Sequence, residues 1–440
     1  MLLNTLHAPL NPGQRAGVYL TNALNGWEPT TEPKTLLMFP ELQRERDAAD
    51  TVKRSRPILV ILGNPPYSGF AGVAIEEERT LSQAYRTTQN PNLPRPQGQG
   101  LNDLYVRFYR MAERQIAENT QRGIVCFISN YSWLDGLSHP GMRERYLEAF
   151  DIVTIDNLNG DKYKTGKTTP DGKPDPSIFS TEFNREGIQV GTAIATLVRK
   201  PQHEGAQTVR FRHLWGTGKR AQLQAEATDT GAGSYQDVTP SLEIGLPFLP
   251  HTFGEDYFAW AKLPELFTIS FPGVKTSRDD VLIDVDKERL EARMKQYFDL
   301  TISHEDMRRI APGFMTDSAR YNAQAVRDTL RQRGYLPENI VRYSYRPFDV
   351  RWLYWEPETK LLDEKRSEYF PHVQPGNIWI EARQRQPMEL FDRGIFTRVL
   401  GDNLGNGLSS FFPLYLYATR QAQLSLFAAE QVRSADVSPT

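Results

Sequence analysis

The sequence predicts an α/β protein: a parallel, doubly wound sheet comes first, and a mixed α+β region follows. Two observations carry this. Over the first 205 residues, apolar runs of strand length alternate with helical stripes, the pattern of parallel strands joined by crossover helices. Beyond about Lys200 the alternation stops, and a Gly-rich polar stretch gives way to aromatic segments. With 440 residues there is room for two or three domains, and 39% hydrophobic residues supply real cores.

Taken in order, Gly17–Leu24 reads as a short strand closed by a turn at Asn25-Gly26. The run Ile58–Gly63 reads as a buried strand, with Gly63 permitting a sharp turn at its end. Ser68–Gly100 carries Pro91, Pro94 and Pro96 and reads as a long loop. Leu104, Phe108, Met111 and Ile116 form a helical stripe running to Asn119, with Asp103 as N-cap. A strand at Gly123–Ser129, a helix at Met142–Phe150, and strands at Ile152–Leu158 and Ile188–Val198 follow. Gly216–Pro240 is polar and Gly-rich and reads as a linker or exposed loop region. Beyond the Pro-marked stretch Leu246–Pro250, helices are expected near Asp286–Tyr297 and Ala323–Arg333, and aromatic strands within Arg342–Trp355. Leu408–Tyr417 is apolar and closes a core; the tail after Arg420 forms a loose helix and frays.

Composition excludes several classes. Net charge is −2, so any basic surface must come from local clustering. Cys126 is the single cysteine, which rules out an internal disulfide. Seven scattered His with one Cys give no zinc-type spacing, so no metal site is expected. There is no apolar run of 18 residues and no basic-then-apolar leader, so we expect no membrane association and a cytoplasmic protein.

The tetrad Asn64-Pro65-Pro66-Tyr67 names a chemistry. Its two prolines fix successive φ angles and hold the chain stiffly off the strand's carboxyl end, the edge where open α/β sheets bind ligands. The Asn64 amide and the Pro65 carbonyl then offer two acceptors in fixed geometry, beside the Tyr67 ring. Two acceptors and an aromatic face suit the exocyclic amine of an extruded base. A bare strand-end turn is the bland alternative. Gly160–Thr168 imitates a phosphate-binding loop, but five residues separate its glycines and Thr169-Pro170 follows where a helix must start. Lys162, Lys164 and Lys167 on that loop are candidates for phosphate contact. The triplets Asp171-Gly-Lys173 and Asp363-Glu-Lys365 lack a paired upstream carboxylate, which argues against a nuclease.

Arg342-Tyr-Ser-Tyr-Arg346-Pro-Phe-Asp-Val-Arg351 interleaves guanidinium groups with aromatics, as a nucleic-acid surface does. An aromatic core strand rimmed by ion pairs reads equally well, since residues 341–400 hold ten Lys/Arg against nine Asp/Glu. Arg346 and Arg351 are named as DNA contacts, with Arg383 and Arg385 beside them, and Arg393 and Arg398 as weaker candidates. Lys275 and Arg278, after Gly273, are candidate phosphate donors in a turn.

Gly63–Ser68, Gly98–Phe108, Gly191–Val198, Tyr345–Arg351 and Phe412–Tyr417 together resemble single-chain Type ISP restriction–modification enzymes. The resemblance implies a Rossmann-like methyltransferase sheet truncated at its amino end (1–205), a mixed α+β target recognition domain (206–425) and a flexible tail (426–440). It implies adenine-N6 methylation of double-stranded DNA from S-adenosylmethionine, with Asn64, Pro65, Pro66 and Tyr67 catalytic. Asn22 matches a position contacting the cofactor adenine, and Phe179 and Phe183 lie near the place of an aromatic partner for the flipped base. The Gly-rich cofactor loop, helicase and nuclease of the family are absent from these 440 residues. The expectation is therefore a fragment complemented by a separate chain that carries them. A non-catalytic DNA-binding specificity module is the alternative, and a methyltransferase acting on RNA or protein amides is a remote third.

Overall fold

Six strands form one sheet in the order β1-β2-β4-β3-β5-β6: β1 (Val60–Gly63), β2 (Gly123–Asn130), β3 (Ile152–Asn159), β4 (Thr192–Arg199), β5 (Val209–His213) and β6 (Gln236–Val238). The computed structural model describes residues 11, 13, 17–27, 38–67, 69, 76–226, 234–253, 256–383, 394–405, 407–417 and 433–436. The chain divides into two compact units, Met1–Gly254 and Glu255–Thr440.

The first sheet is mixed, not parallel as expected. β1 pairs parallel with β2 and β3 with β5, but β4 is inserted antiparallel to both β2 and β3. β1, β2, β3 and β5 therefore share one carboxyl edge. Strand alternation sends Val125, Phe127, Val153, Ile155, Ala195 and Leu197 into one core. Tyr105 and Tyr109 of the helix Leu104–Glu113, and Met142 and Tyr146 of the helix Pro140–Ala149, fill the same core. Arg143, fully buried, donates to the carbonyls of Trp133, Gly136 and Gly245, locking three loops around it.

Several local expectations change. β1 is an edge strand rather than a buried one: Leu59, Val60 and Leu62 are exposed, Leu62 at 70%, and no strand pairs its outer edge among the described residues. Gly17–Leu24 forms no strand. The loop Ser68–Gly100 contains the helix Glu76–Leu81. Asp103 takes the N-cap position, but its side chain makes no cap hydrogen bond. Gly216–Pro240 is no linker, because it holds the helix Lys219–Glu226 and β6. The units accordingly part at Gly254, not at residue 205; β5 and β6 extend the first sheet.

Among its described residues, the second unit carries two four-stranded sheets and one two-stranded antiparallel pair. One sheet runs β13-β9-β10-β8 (Leu400–Gly401, Ile340–Arg346, Asp349–Tyr354, Ile283–Asp284). The other runs β12-β11-β14-β7 (Ile395–Thr397, Trp379–Arg383, Ser409–Pro413, Phe271–Pro272). Leu290, Met294 and Tyr297 of the helix Lys287–Phe298, and Leu330 of the helix Ala323–Arg333, pack with Tyr343, Leu353, Trp379 and Phe411 in one core. Asp286 caps the first of these helices by accepting from the N–H groups of Glu288 and Arg289. Part of the expected flexible tail is ordered: β16 (Arg433–Ala435) pairs with β15 (Tyr415–Tyr417), and buried Asp436 accepts hydrogen bonds from Thr268. The rest of 418–440 lies outside the described residues.

Candidate functional site

The tetrad leaves the carboxyl end of β1 as the sequence reading expects, but Gly63 serves a different purpose. It has no positive φ; a Cβ there would stand 2.9 Å from the Phe127 ring. Gly63 lets β1 lie flat on Phe127 of β2, its register partner. Pro65 is then buried, while Asn64 and Pro66 are exposed. Neither the Asn64 amide nor the Pro65 carbonyl makes a hydrogen bond among the described residues, so both acceptors stand available at the rim.

The Tyr67 ring is half-buried and meets Phe179 edge-to-face, with centroids 6.0 Å apart at 74°. Its hydroxyl is buried without a partner among the described residues, and burial pushes the phenol well above its ordinary value. Tyr67 therefore stays protonated and is no general base. It offers an aromatic face and one O–H donor lacking an acceptor.

Phe179 reaches Tyr67 from the connection between β3 and β4, a 32-residue excursion with two acidic anchors that sequence reasoning missed. Asp175, wholly buried, accepts from the N–H of Gly160 (2.7 Å), the N–H of Gly216 (2.7 Å) and Lys219 Nζ (2.8 Å). Asp161 accepts from the N–H groups of Tyr163, Lys164 and Gly191. Within the P-loop-like segment the Tyr163 and Lys164 amides are thus turned onto Asp161 and the Gly160 amide onto Asp175. Only the spacing of acids among loop glycines hinted at these anchors. A cavity of about 490 Å³ lies behind Phe179, lined by Ile128, Leu158, Ile178, Ile194 and Leu223, with Arg220 and Gln224 adding polar groups. Ile128 and Ile194 alternate with core residues, so this space opens on the sheet face away from the main core.

Asn22, the expected cofactor contact, is spoken for. Its amide donates to Glu78 Oε1 at 2.7 Å, and its oxygen accepts from the Leu24 N–H at 2.9 Å. Phe183, by contrast, is fully exposed. Lys162 pairs with Glu186 at 2.5 Å, Lys167 donates to the Glu186 carbonyl, and Lys164 lies 4.6 Å over the Tyr131 ring.

The named cations of the second unit are mostly held by acids. Lys275 Nζ lies 2.9 Å from Asp363. Arg278 is buried, stacks 3.3 Å from the Tyr321 centroid and donates to the Leu361 carbonyl; it packs the core rather than facing a ligand. Arg346 and Arg351 lie 3.9 and 4.3 Å from the Tyr345 ring centroid, the first near Asp402 and Asp279, the second bidentate on Asp349. Arg383 ends β11 beside Gly407, and Arg398 lines an apolar groove with Phe267, Ile380, Phe396 and Phe412. Arg385 and Arg393 lie outside the described residues.

Residues 41–163 match the family of the Eco57I restriction-modification methylase, and residues 265–439 match the Type ISP C-terminal specificity domain. Among solved structures, the ATP-dependent Type ISP enzyme LlaBIII bound to DNA is 21% identical with a TM-score of 0.63, covering 96% of this chain and 28% of that one. The DrdV–DNA complex gives 19%, 0.62, 91% and 39% in the same order. A nuclease-deletion mutant of the Type ISP enzyme LlaGI with a DNA substrate mimic gives 17%, 0.62, 90% and 38%. These likenesses are of fold, and the chain spans well under half the length of each. A search of curated protein sequences returned no match. No described helix is long and apolar enough to cross a membrane.

Proposed function

We propose that this chain, an Eco57I-type methylase segment followed by a Type ISP C-terminal specificity domain, holds the target adenine and recognises the DNA for N6-methylation in a restriction–modification system. One observation carries the reading. Among the described residues, the acceptors of Asn64 and Pro65 stand unengaged at the sheet's carboxyl edge beside the Tyr67–Phe179 pair. The two acceptors orient the adenine N6 amine by its two N–H groups, and the aromatic pair stacks the ring. Extrusion costs a few kcal/mol, and stacking returns about 1–3 kcal/mol of it. No residue here is asked to remove a proton before attack, consistent with a Tyr67 that stays protonated.

The methylase family implies S-adenosylmethionine as methyl donor. The described residues do not fit it as a complete cradle: Asn22 is committed to Glu78 and Leu24, and no Gly-rich loop adjoins the open edge of β1. We therefore derive no step through the cofactor. We propose that a further polypeptide segment completes that half, and that the partners are double-stranded DNA and that segment. The same open edge favours the second reading, a DNA-binding specificity module without catalysis.

Incubating the chain, reconstituted with the segment that completes its cofactor half, with unmethylated plasmid and labelled S-adenosylmethionine, followed by nucleoside mass spectrometry and a gel-shift control, tests the proposal. N6-methyladenine that disappears in Asn64→Ala supports methylation. DNA binding without any methyl product favours the specificity module. Methyl label in cytosine, or in tRNA or protein in place of DNA, refutes the adenine assignment.

A further inference from the structure

Four residues beyond Phe179, the β3–β4 connection presents Phe183 on a turn that closes on itself. The Thr181 N–H donates to the Asn184 carbonyl at 2.9 Å, the Asn184 N–H donates to Thr181 Oγ1 at 3.0 Å, and the Gly187 N–H donates to Asn184 Oδ1 at 3.0 Å. Gly187 has a φ of +57°, and a Cβ there would stand 2.9 Å from the Ser180 nitrogen, so the two arms of the turn are in contact. The Ser180 N–H donates to the Ser177 carbonyl at 2.9 Å, fixing the arm that runs back to Phe179. On this stiff mount the Phe183 ring is 100% exposed and meets no other ring among the described residues.

An exposed phenylalanine alone is ordinary. What distinguishes this one is where it stands. Four residues of extended chain span at most about 14 Å, so Phe183 projects within that distance of Phe179 and from the same sheet edge as the tetrad. Arg185 is exposed two residues further on, and Lys162 and Lys167 are held on the same connection at Glu186. The connection is charge-balanced, with five Lys/Arg against five Asp/Glu over 160–191, so it is the apolar plane beside a base-holding rim that points to an opened DNA stack as its partner.

We propose that Phe183 is a wedge that enters the duplex at the space vacated by the everted adenine and stacks on the bases left behind. This rests on the adenine-holding reading above and adds to it the residue that keeps the gap open. Base–aromatic stacking is worth about 1–3 kcal/mol per base, which is a preference of about 5- to 150-fold for DNA whose gap is already made.

The full chain is titrated with a fluorescent 30-base-pair duplex containing one abasic site opposite thymine, and with the intact duplex of the same sequence. Wild type is expected to prefer the abasic duplex at least about fivefold, Phe183→Ala to fall below about twofold, and Phe183→Trp to keep the preference while its added fluorescence is quenched. A preference unchanged in Phe183→Ala overturns the wedge, as does equal wild-type affinity for both duplexes. If wild type binds neither duplex, it is the DNA reading itself that fails.

Discussion

Replacing Gly63 by alanine isolates the contact that seats the tetrad. The added methyl would stand 2.9 Å from Phe127 Cε1 and 3.2 Å from Cδ1, against an ordinary carbon–carbon contact of about 3.5–4.0 Å. Phe127 has nowhere to go: it is 2% exposed and packed edge-to-face on Tyr109 with centroids 5.1 Å apart. β1 must therefore lift from β2 by roughly 0.5–1 Å, at the strain of an overfilled core, about 1–3 kcal/mol. Asn64 follows directly, so methylation should fall further than stability does; a displacement near 1 Å can cost about 100-fold in rate. Urea unfolding followed by circular dichroism, with plasmid methylation alongside, checks both quantities. In a Phe127→Leu background the ring edge is gone, and Gly63→Ala should then cost under about 0.5 kcal/mol. An equal cost in both backgrounds, or none in the wild type, refutes the packing explanation.

Asp175→Ala should destabilise the first unit by about 3–5 kcal/mol, because Lys219 is left charged and buried; Asp175→Ala with Lys219→Met should recover much of the loss in a thermal melt. Tyr67→Phe removes a buried hydroxyl that has no partner, so stability should hold or rise by up to about 1 kcal/mol, whereas Tyr67→Ala should abolish adenine methylation in the same plasmid assay. Burial, helped by the Arg143 guanidinium, holds the His139 imidazole down at about 3, while the unfolded residue titrates near 6.5. Between those values the unfolded chain binds the extra proton. The contribution of His139 is thus complete above about pH 6.5 and erodes as the pH falls toward 3. Melting temperatures at pH 7, 5.5 and 4.5 should decline less steeply in His139→Gln than in wild type.

What the sequence made legible follows the range of the interactions involved. Ala323–Arg333 and Lys287–Phe298 were readable because helix signals are local; in the structure Asn322 and Asp286 cap them. The tetrad was readable for the same reason, since two prolines carry their geometry with them. Strand orientation was not: β4 is apolar whichever way it runs, and its antiparallel insertion depends on partners 33 to 76 residues upstream. β6 was lost to the linker reading and β5 was not read as a strand, because outer strands are short and half-solvated, leaving too little alternation to see. The Tyr67–Phe179 contact joins residues 112 apart, so the sequence set Phe179 and Phe183 side by side where the structure gives Phe179 a ring partner and leaves Phe183 exposed. Arginine–carboxylate pairing was legible only as the alternative of an ion-paired rim in 341–400, and Arg278 proved to be a core residue.

Those pairings bear on how ionic strength should act. A phosphate arriving at Arg346, Arg351 or Lys275 finds each cation already neutralised by Asp402, Asp349 or Asp363. Fewer condensed counterions are then released for each contact than three free charges would expel. A plot of log affinity against log salt should be shallower than the slope of about −2.7 that three unpaired cations give. The aspartates act as rivals of the DNA backbone, and removing Asp349 should steepen the line while tightening unspecific attachment.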